Sequence, residues 1–197
     1  MKNGRAWLWR AGVLLLLTGI GCQKEAPQVP AMAFAVEAER LGETHQLEAS
    51  GFQFQAPQRW QPLTIQQVDT VTQSLDLAGE AVVFHPQHVF LDSVNSSVLS
   101  VATFRLAEAP FEEQMAAYGH LLAERFEADS VRQTLFVKDG ITMAQFLVQP
   151  EGLVNFKLVF EAAPDQLVQF DYIVPHAEYH QEVKNIESSI GSIQRIP

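Results

Sequence analysis

Two histidines near the C-terminus have a spacing that could bind a metal ion. His176 and His180 lie four residues apart, so on a helix they share one face, with Glu178 and Glu182 nearby. Metal capture by two histidines needs this spacing together with a third ligand. The order His-Ala-Glu-Tyr-His lacks the glutamate that a zinc-protease helix places directly after its first histidine. We interpret the segment as a solvated first helical turn and keep a metal site as the alternative.

Other candidate residues have structural interpretations. His85 and His88 flank Pro86-Gln87 and are predicted to lie in a surface loop. The serines do not form the Gly-x-Ser-x-Gly turn of a nucleophile, and the chain has no Gly-rich phosphate loop. Trp60 is either buried beneath the turn in which it lies or an exposed anchor for a partner. The sequence therefore predicts no catalytic residues and no cofactor.

The only cysteine, Cys22, ends a strongly biased segment. Lys2, Arg5 and Arg10 precede or flank the apolar residues 11–17, and Gly-Ile-Gly leads to the thiol. This layout is typical of a secretory signal peptide. A cysteine at its end resembles the lipobox of bacterial lipoproteins, and the resemblance implies acylation of the thiol, palmitate included.

The lipobox resemblance has one departure and leaves two alternatives. Gly19 stands three residues before Cys22, where the lipobox pattern usually has leucine. The segment could instead be an ordinary secretory signal or an uncleaved helix, although its apolar core is shorter than the ~20 residues that span a bilayer. The prediction is a signal peptide over residues 1–21, a lipidated tether over 22–49 and a folded domain over 50–197. Gln23, rather than aspartate, after the cysteine favours the outer membrane over the inner one.

The charge balance excludes two kinds of partner. The chain has 13 Lys and Arg against 23 Asp and Glu. Removal of residues 1–21, which hold three of the basic residues, leaves a net charge of −13. Such acidity argues against nucleic acid and against electrostatic docking onto anionic lipid, so the acyl group must hold the protein on the membrane. With Cys22 acylated, no thiol remains for a disulfide, and the domain must fold on its core alone.

The hydrophobic periodicity predicts one α+β domain. Helical stripes occur over 110–127 and 176–194, and alternating or apolar runs predict strands. The strands are expected around residues 52–55, 81–84, 98–106, 134–138, 141–148, 154–162 and 167–174. Turns at Lys138-Asp139-Gly140 and at Ala163-Pro164-Asp165-Gln166 join the last four strands in two hairpins.

The order of these elements resembles the PsbP-like and DcrB-like proteins. The resemblance is carried by the strand that ends in Ala56-Pro57-Gln58-Arg59-Trp60, the strand from Asn95, the Lys138 hairpin, and the final strand and helix. It covers residues 50–195 through element order rather than a signature. It implies an antiparallel sheet flanked by helices, an α/β/α sandwich, and no catalytic residues.

These observations predict a lipid-anchored cell-envelope protein that faces the periplasm. Its domain is expected to be a non-catalytic binding or assembly module, held to the membrane through Cys22 and acting on an envelope protein that the sequence does not name. The alternative is an envelope metal-binding protein or hydrolase that uses His176 and His180. A third interpretation is a carrier of a small apolar ligand behind Phe111, Met115 and Phe126.

Overall fold

The computed structural model describes residues 29–64, Gln67, 82–126 and 131–197. The signal peptide, Cys22 and the start of the tether lie outside these residues, as do the first residue of the predicted strand 81–84 and the last residue of the predicted helical stripe 110–127. Within the described residues the strands are β1 (Leu41–Leu47), β2 (Phe52–Pro57), β3 (Gln61–Pro62), β4 (His85–Asp92), β5 (Ser97–Phe104), β6 (Val131–Lys138), β7 (Ile141–Val148), β8 (Leu153–Ala163), β9 (Gln166–Pro175) and β10 (Gln194–Arg195). The long helices are α1 (Phe111–Arg125) and α2 (Tyr179–Ser192).

Seven of the described strands form one large antiparallel sheet in the order β3-β4-β5-β9-β8-β7-β6. The β6–β7 hairpin turns through Asp139 and Gly140, which have positive φ angles of 49° and 77°. Aspartate and glycine tolerate this left-handed region better than most residues, which is why the turn forms here. The β8–β9 hairpin turns through Pro164 and Asp165, as the sequence predicted.

Helix α1 covers one face of the large sheet. It begins directly after Pro110. Glu112 and Glu113 lie in its first turn, where their negative charges interact favourably with the positive end of the helix dipole. The predicted apolar stripe is confirmed, because Met115, Tyr118 and Leu122 are buried against the sheet. Phe111 and Phe126 pack against the same cluster. The three residues proposed to line an apolar cavity, Phe111, Met115 and Phe126, are thus part of this core.

The opposite face is covered by helix α2 together with a small sheet of order β1-β2-β10. Ile186, Ile190 and Ile193 are buried on this side, as their spacing predicted. Phe52 and Phe54 of β2 lie against the large sheet, with Phe54 4.9 Å from the Phe170 ring in an edge-on contact. The α+β sandwich with helices on both faces of an antiparallel sheet is confirmed.

The folded unit starts before residue 50, so the predicted tether of 22–49 is too long. Residues 34–40 run along α2, with the Glu37 N–H 3.3 Å from Ser188 Oγ. Gly191 permits this approach, because a Cβ there would lie 2.6 Å from Val36 Cγ2. Strand β1 then pairs with β2. The sequence prediction missed these elements because the charged residues within 37–43 obscure the hydrophobic periodicity of the segment.

Strand β4 corrects two further predictions. The predicted strand 81–84 is not a strand in its described part, 82–84, and the predicted loop around His85 and His88 is the start of β4. Pro86 does not end the strand. A register shift between Pro86 and His88 accommodates it, since a bulge removes the need for a regular ladder hydrogen bond.

Among the described residues, no helix is long and apolar enough to cross a membrane.

Candidate functional site

An open cleft lies between the turn that follows β2 and the surface of α2. We call it the Trp60 cleft. Its volume is about 370 Å³, and its lining residues are Glu39, Arg40, Pro57, Gln58, Arg59, Trp60, Gln181 and Asn185. The residues come from three parts of the chain, because the N-terminal segment and the β2–β3 turn both pack beside α2. Charged and amide side chains dominate this lining.

Trp60 forms a buried part of the cleft rather than an exposed anchor. The residue is 3% exposed, and its ring centroid lies 6.3 Å from that of Tyr172 on β9. The proposal that an exposed Trp60 ring contacts a partner is therefore wrong. The ring is buried because the turn folds the chain back onto the core. In this turn the Pro57 carbonyl accepts a hydrogen bond from the backbone N–H of Trp60.

Arg59 connects two buried carboxylates at the cleft. Its Nη2 lies 2.5 Å from Glu182 Oε1 and 3.4 Å from Asp92 Oδ2. Both carboxylate side chains are 1% exposed, whereas the Arg59 side chain is 59% exposed. Asn95 and Asn185 also donate to Glu182, at 3.0 and 2.8 Å. We call Arg59, Asp92 and Glu182 the open network, because its cation reaches solvent while its anions do not.

A second guanidinium lies at the other side of the cleft. Arg40 donates through Nε to Glu37 Oε2 at 2.5 Å and through Nη1 to Asn185 Oδ1 at 3.1 Å. The hydrogen bond from Arg40 lowers the pKa of Glu37 below its usual value. Asn185 thus links Arg40 to Glu182, which in turn accepts from Arg59, since the Asn185 amide also donates to Glu182. The edge of the cleft is therefore held together by hydrogen bonds between side chains that are far apart in the sequence.

The cleft presents polar groups at an open surface. Its lining holds the guanidinium groups of Arg40 and Arg59, the carboxylate of Glu39 and three side-chain amides. Among the described residues, no group of three or more His, Cys, Asp or Glu side chains is arranged to hold a metal ion. His176 lies in a short 3₁₀ turn and His180 in the first turn of α2, and both are exposed. Among the described residues, the fold places no third ligand beside this histidine pair.

A second open cleft, of about 500 Å³, lies on the other side of the same turn and includes His45 of β1. The His45 ring lies 5.6 Å from that of His88 and 4.8 Å from that of Phe90, both on β4. His88 Nε2 is 3.2 Å from the Gln46 carbonyl. Burial, and then the charge of His88, lowers the pKa of His45. These histidines join the small sheet to the large one.

Sequence reasoning missed Asp92 and Glu182 as site residues. A signal for Glu182 was present: it lies four residues before Ile186 and eight before Ile190, so it belongs to the buried stripe of α2. A carboxylate on a core-facing stripe needs a partner. Asp92 had no such signal, because its strand was not predicted.

The solved structures show what this fold is similar to. The solution structure of cyanobacterial PsbP from Synechocystis sp. PCC 6803 superposes with a TM-score of 0.54 at 13% identity, covering 84% of this chain and 98% of that one. The chain has a PsbP-like fold. A crystal structure from Bacteroides thetaiotaomicron VPI-5482 aligns with a TM-score of 0.43 at 13% identity, covering 78% of this chain and 48% of that chain. No family model and no curated protein matches the sequence.

Proposed function

We propose that this protein is a lipid-anchored component of a bacterial cell envelope whose domain is a non-catalytic binding or assembly module facing the periplasm. The observation that carries the binding role is the Trp60 cleft, where charged groups from three chain segments converge on an open surface. Glu182, which contacts the cleft residues Arg59 and Asn185, accepts hydrogen bonds from Arg59 and two asparagines, which suits a fixed hydrogen-bonding role better than proton transfer.

The anchor in this proposal is a lipid on Cys22. The basic start, apolar run and single cysteine of residues 1–22 support it. Since one acyl chain binds membranes only marginally, stable attachment needs the two or three chains of a mature lipoprotein. The described fold includes Pro30, whose carbonyl accepts from the Val137 N–H, so seven residues separate it from Cys22 and can span at most ~25 Å.

Substitution of the thiol tests the anchor. Wild-type protein is expected in the membrane fraction, to be released only by detergent and to incorporate labelled palmitate. Cys22→Ala is expected in the soluble periplasmic fraction without label. Membrane retention of Cys22→Ala, with no palmitate in the wild type, would instead identify an uncleaved helix.

The residue after the cysteine tests the choice of membrane. We propose the outer membrane, because Gln23 is not the aspartate associated with inner-membrane retention. Gln23→Asp is then expected to move the protein from the outer-membrane to the inner-membrane band of a density gradient. Gln23→Asn is the matched control and is expected to leave the distribution unchanged. Wild-type protein in the inner-membrane band would contradict the assignment.

Crosslinking in intact cells tests the binding role. Photoreactive residues at Gln58 and Gln181, which line the Trp60 cleft, are expected to capture the same envelope protein. A photoreactive residue at the exposed Asp165 turn is the control, because it lies at the far end of the β8–β9 hairpin. Capture from the Asp165 position alone would remove the cleft from the proposal.

A further inference from the structure

The Trp60 cleft presents mainly cations to a ligand, although carboxylates lie close to it. Among the described residues that line it, Arg40 and Arg59 carry guanidinium groups and Glu39 alone carries a carboxylate. Asp92 and Glu182, which Arg59 contacts, do not belong to this lining, and their side chains are 1% exposed. A ligand in the cleft therefore meets the cation of the open network and not its anions.

Both arginines keep hydrogen-bonding capacity that the protein does not use. A guanidinium has five N–H groups on three nitrogens. Within the described part of the chain, Arg59 contacts its two carboxylates through Nη2 alone, which leaves Nε and Nη1 for other acceptors. Arg40 donates through Nε and Nη1 and leaves Nη2. Each guanidinium can therefore bind a further acceptor while it keeps its present partners.

The cleft lining also contains a buried donor that lacks a partner. The indole Nε1 of Trp60 has no acceptor in the described ranges of the chain, although the residue is only 3% exposed. An indole N–H donates and cannot accept. Buried polar groups are normally paired, so this atom indicates an acceptor that the protein itself does not supply. Because Nε1 is buried, that acceptor must reach it directly or through a bridging water.

We propose that the Trp60 cleft binds a carboxylate of a protein partner, from an acidic side chain or a C-terminus, with Arg40 and Arg59 as the groups that receive it. Carboxylate oxygens accept short, charge-assisted hydrogen bonds from guanidinium groups, and they are acceptors only, as the unpaired donors require. The volume of about 370 Å³ accommodates one such group, to which the amides of Gln58 and Gln181 can also donate. This inference rests on the proposed binding role of the cleft and specifies the chemistry of its partner.

The surrounding charges favour a carboxylate over a phosphate. Glu37, Glu39, Asp92 and Glu182 lie in or directly beside the cleft and outnumber its two arginines. A phosphate monoester carries close to two negative charges at pH 7, so this surplus repels it more strongly than a carboxylate, which carries one. The acidity of the whole chain disfavours an anionic membrane for the same reason. The partner's carboxylate is therefore held by short-range hydrogen bonds and not by long-range attraction.

A titration of the full chain in detergent micelles tests this inference. The probes are Nα-acetyl-glutamate amide, for an acidic side chain, and Nα-acetyl-alanine, for a C-terminus. Both are ionised at about pH 7. The controls are Nα-acetyl-glutamine amide, Nα-acetyl-lysine amide and inorganic phosphate. The readout is the indole N–H resonance of Trp60, assigned by its loss in Trp60→Phe.

The response to the probes separates the possible ligand classes. At least one carboxylate probe is expected to shift the Trp60 resonance in a saturable way, and the stronger of the two identifies the source of the carboxylate. The glutamine probe is expected to bind about tenfold more weakly, because its amide forms weaker hydrogen bonds with a guanidinium. The inference is overturned if the glutamine probe binds equally well, if phosphate or the lysine probe binds more tightly, or if neither carboxylate probe shifts the resonance.

Two substitutions in the cleft lining give effects of opposite sign. Arg40→Gln removes a receiving cation, so binding of the carboxylate probe is expected to weaken about tenfold. Glu39→Gln removes an exposed, repelling carboxylate, so binding is expected to strengthen about twofold. Arg132→Gln is the matched control, at an exposed position of β6 on the other edge of the large sheet, and is expected to leave binding unchanged. A cation site would give the reverse for both cleft variants.

The titration and the crosslinking in intact cells can fail separately. If photoreactive residues at Gln58 and Gln181 capture an envelope protein but the Trp60 resonance ignores both carboxylate probes, the inference fails and the binding role stands. If the resonance responds and neither position captures a protein, the binding role fails and the carboxylate site stands. If Arg40→Gln changes the amide spectrum globally, Glu39→Gln, at an exposed position, still decides the sign.

Discussion

The large sheet carries a buried charge cluster on each face, and the two differ in their access to solvent. On the α1 face, Lys157 Nζ lies 2.6 Å from Asp171 Oδ2, and the two side chains are 0% and 3% exposed. We call Lys157 and Asp171 the enclosed pair. On the α2 face, the open network also has buried carboxylates, but its cation is 59% exposed. The two clusters thus share their chemistry and differ in whether the cation reaches solvent.

The surroundings of the enclosed pair indicate a structural role. Tyr118 of α1 donates to Gln169 at 2.7 Å on the same strand face as Asp171. Burial raises the pKa of Tyr118 far above its usual value, and the charge of Asp171 raises it further. A pair that is surrounded in this way cannot exchange partners without opening the core. The comparison teaches that the accessible member of an ion pair is the one that solvent or a partner can reach, and the enclosed pair offers none.

The largest expected effect is the loss of one member of the enclosed pair. Asp171→Ala leaves Lys157 as an unpaired buried charge, which should lower the free energy of unfolding by about 3–5 kcal/mol. Replacing both members, as Lys157→Met with Asp171→Leu, should cost far less, because buried ion pairs are often matched by apolar residues of similar size. Urea denaturation measures both. If the double variant is as unstable as Asp171→Ala, the pair stabilises the core in a way that apolar residues of similar size cannot replace.

A smaller effect is expected from the buried carboxylate of the open network. Glu182→Ala removes the acceptor of three donors, from Arg59, Asn95 and Asn185, and should lower stability by about 1–3 kcal/mol. Arg59 and the asparagine amides can turn partly to solvent, which limits the cost. The control is Glu187→Ala on the exposed side of α2, expected within about 0.5 kcal/mol of wild type. Equal losses for both would deny the network any energetic role.

Salt should separate the two clusters further. The coupling free energy between Arg59 and Glu182, from a double-mutant cycle, should be about 1 kcal/mol at low salt, as for partly exposed pairs. It should fall at about 1 M NaCl, where the screening length is ~3 Å. The coupling between Lys157 and Asp171 should change little, because salt does not enter the core. A salt-independent Arg59 coupling would mean that this guanidinium is less accessible than its exposure indicates.

The smallest effect is expected from the half-buried histidines beside the second cleft. Folding lowers the pKa of His45 below the ordinary histidine value of about 6.5, so the unfolded chain binds a proton more readily than the folded protein does. The free energy of unfolding therefore falls as the pH drops below about 6.5. The opposing neighbours are His88, which lowers the pKa, and Glu43, which raises it. Thermal denaturation between about pH 7 and pH 5 should show a smaller loss in His45→Gln than in wild type. The same loss in both would assign the pH dependence to other groups.

Local patterns predicted most of the sheet and both helices. The stripes Met115-Tyr118-Leu122 and Ile186-Ile190-Ile193 gave the correct buried faces, because helical period is a local property. Strand β4 was not predicted, since Pro86 and two histidines do not alternate in hydrophobicity with their neighbours. Strand β1 was obscured in the same way by charged residues. Its seven residues are held mainly by pairing with β2, which no local pattern encodes.

The enclosed pair illustrates why charges were harder to predict than apolar stripes. The turn at Ala163 and Gln166 fixes one register for the β8–β9 hairpin, in which Lys157 would oppose Tyr172. A register shift between Glu161 and Ala163 moves the strand by one residue, so that Lys157 opposes Asp171. One inserted residue changes which side chains share a face. The bulge has no clear signal in the sequence.

The sequence by itself determined the order of most elements, the faces that the helices bury, the hairpin turns and the supply of only one thiol, at Cys22. These follow from periodicity, turn chemistry and composition, which act over a few residues. The tertiary structure alone decided that Arg59 meets Glu182, 123 positions away, and that Asp92 joins them. The physical reason is that a pattern fixes which side of an element faces the core, whereas packing fixes what lies opposite. Packing alone therefore decides whether an ion pair is enclosed or open to solvent.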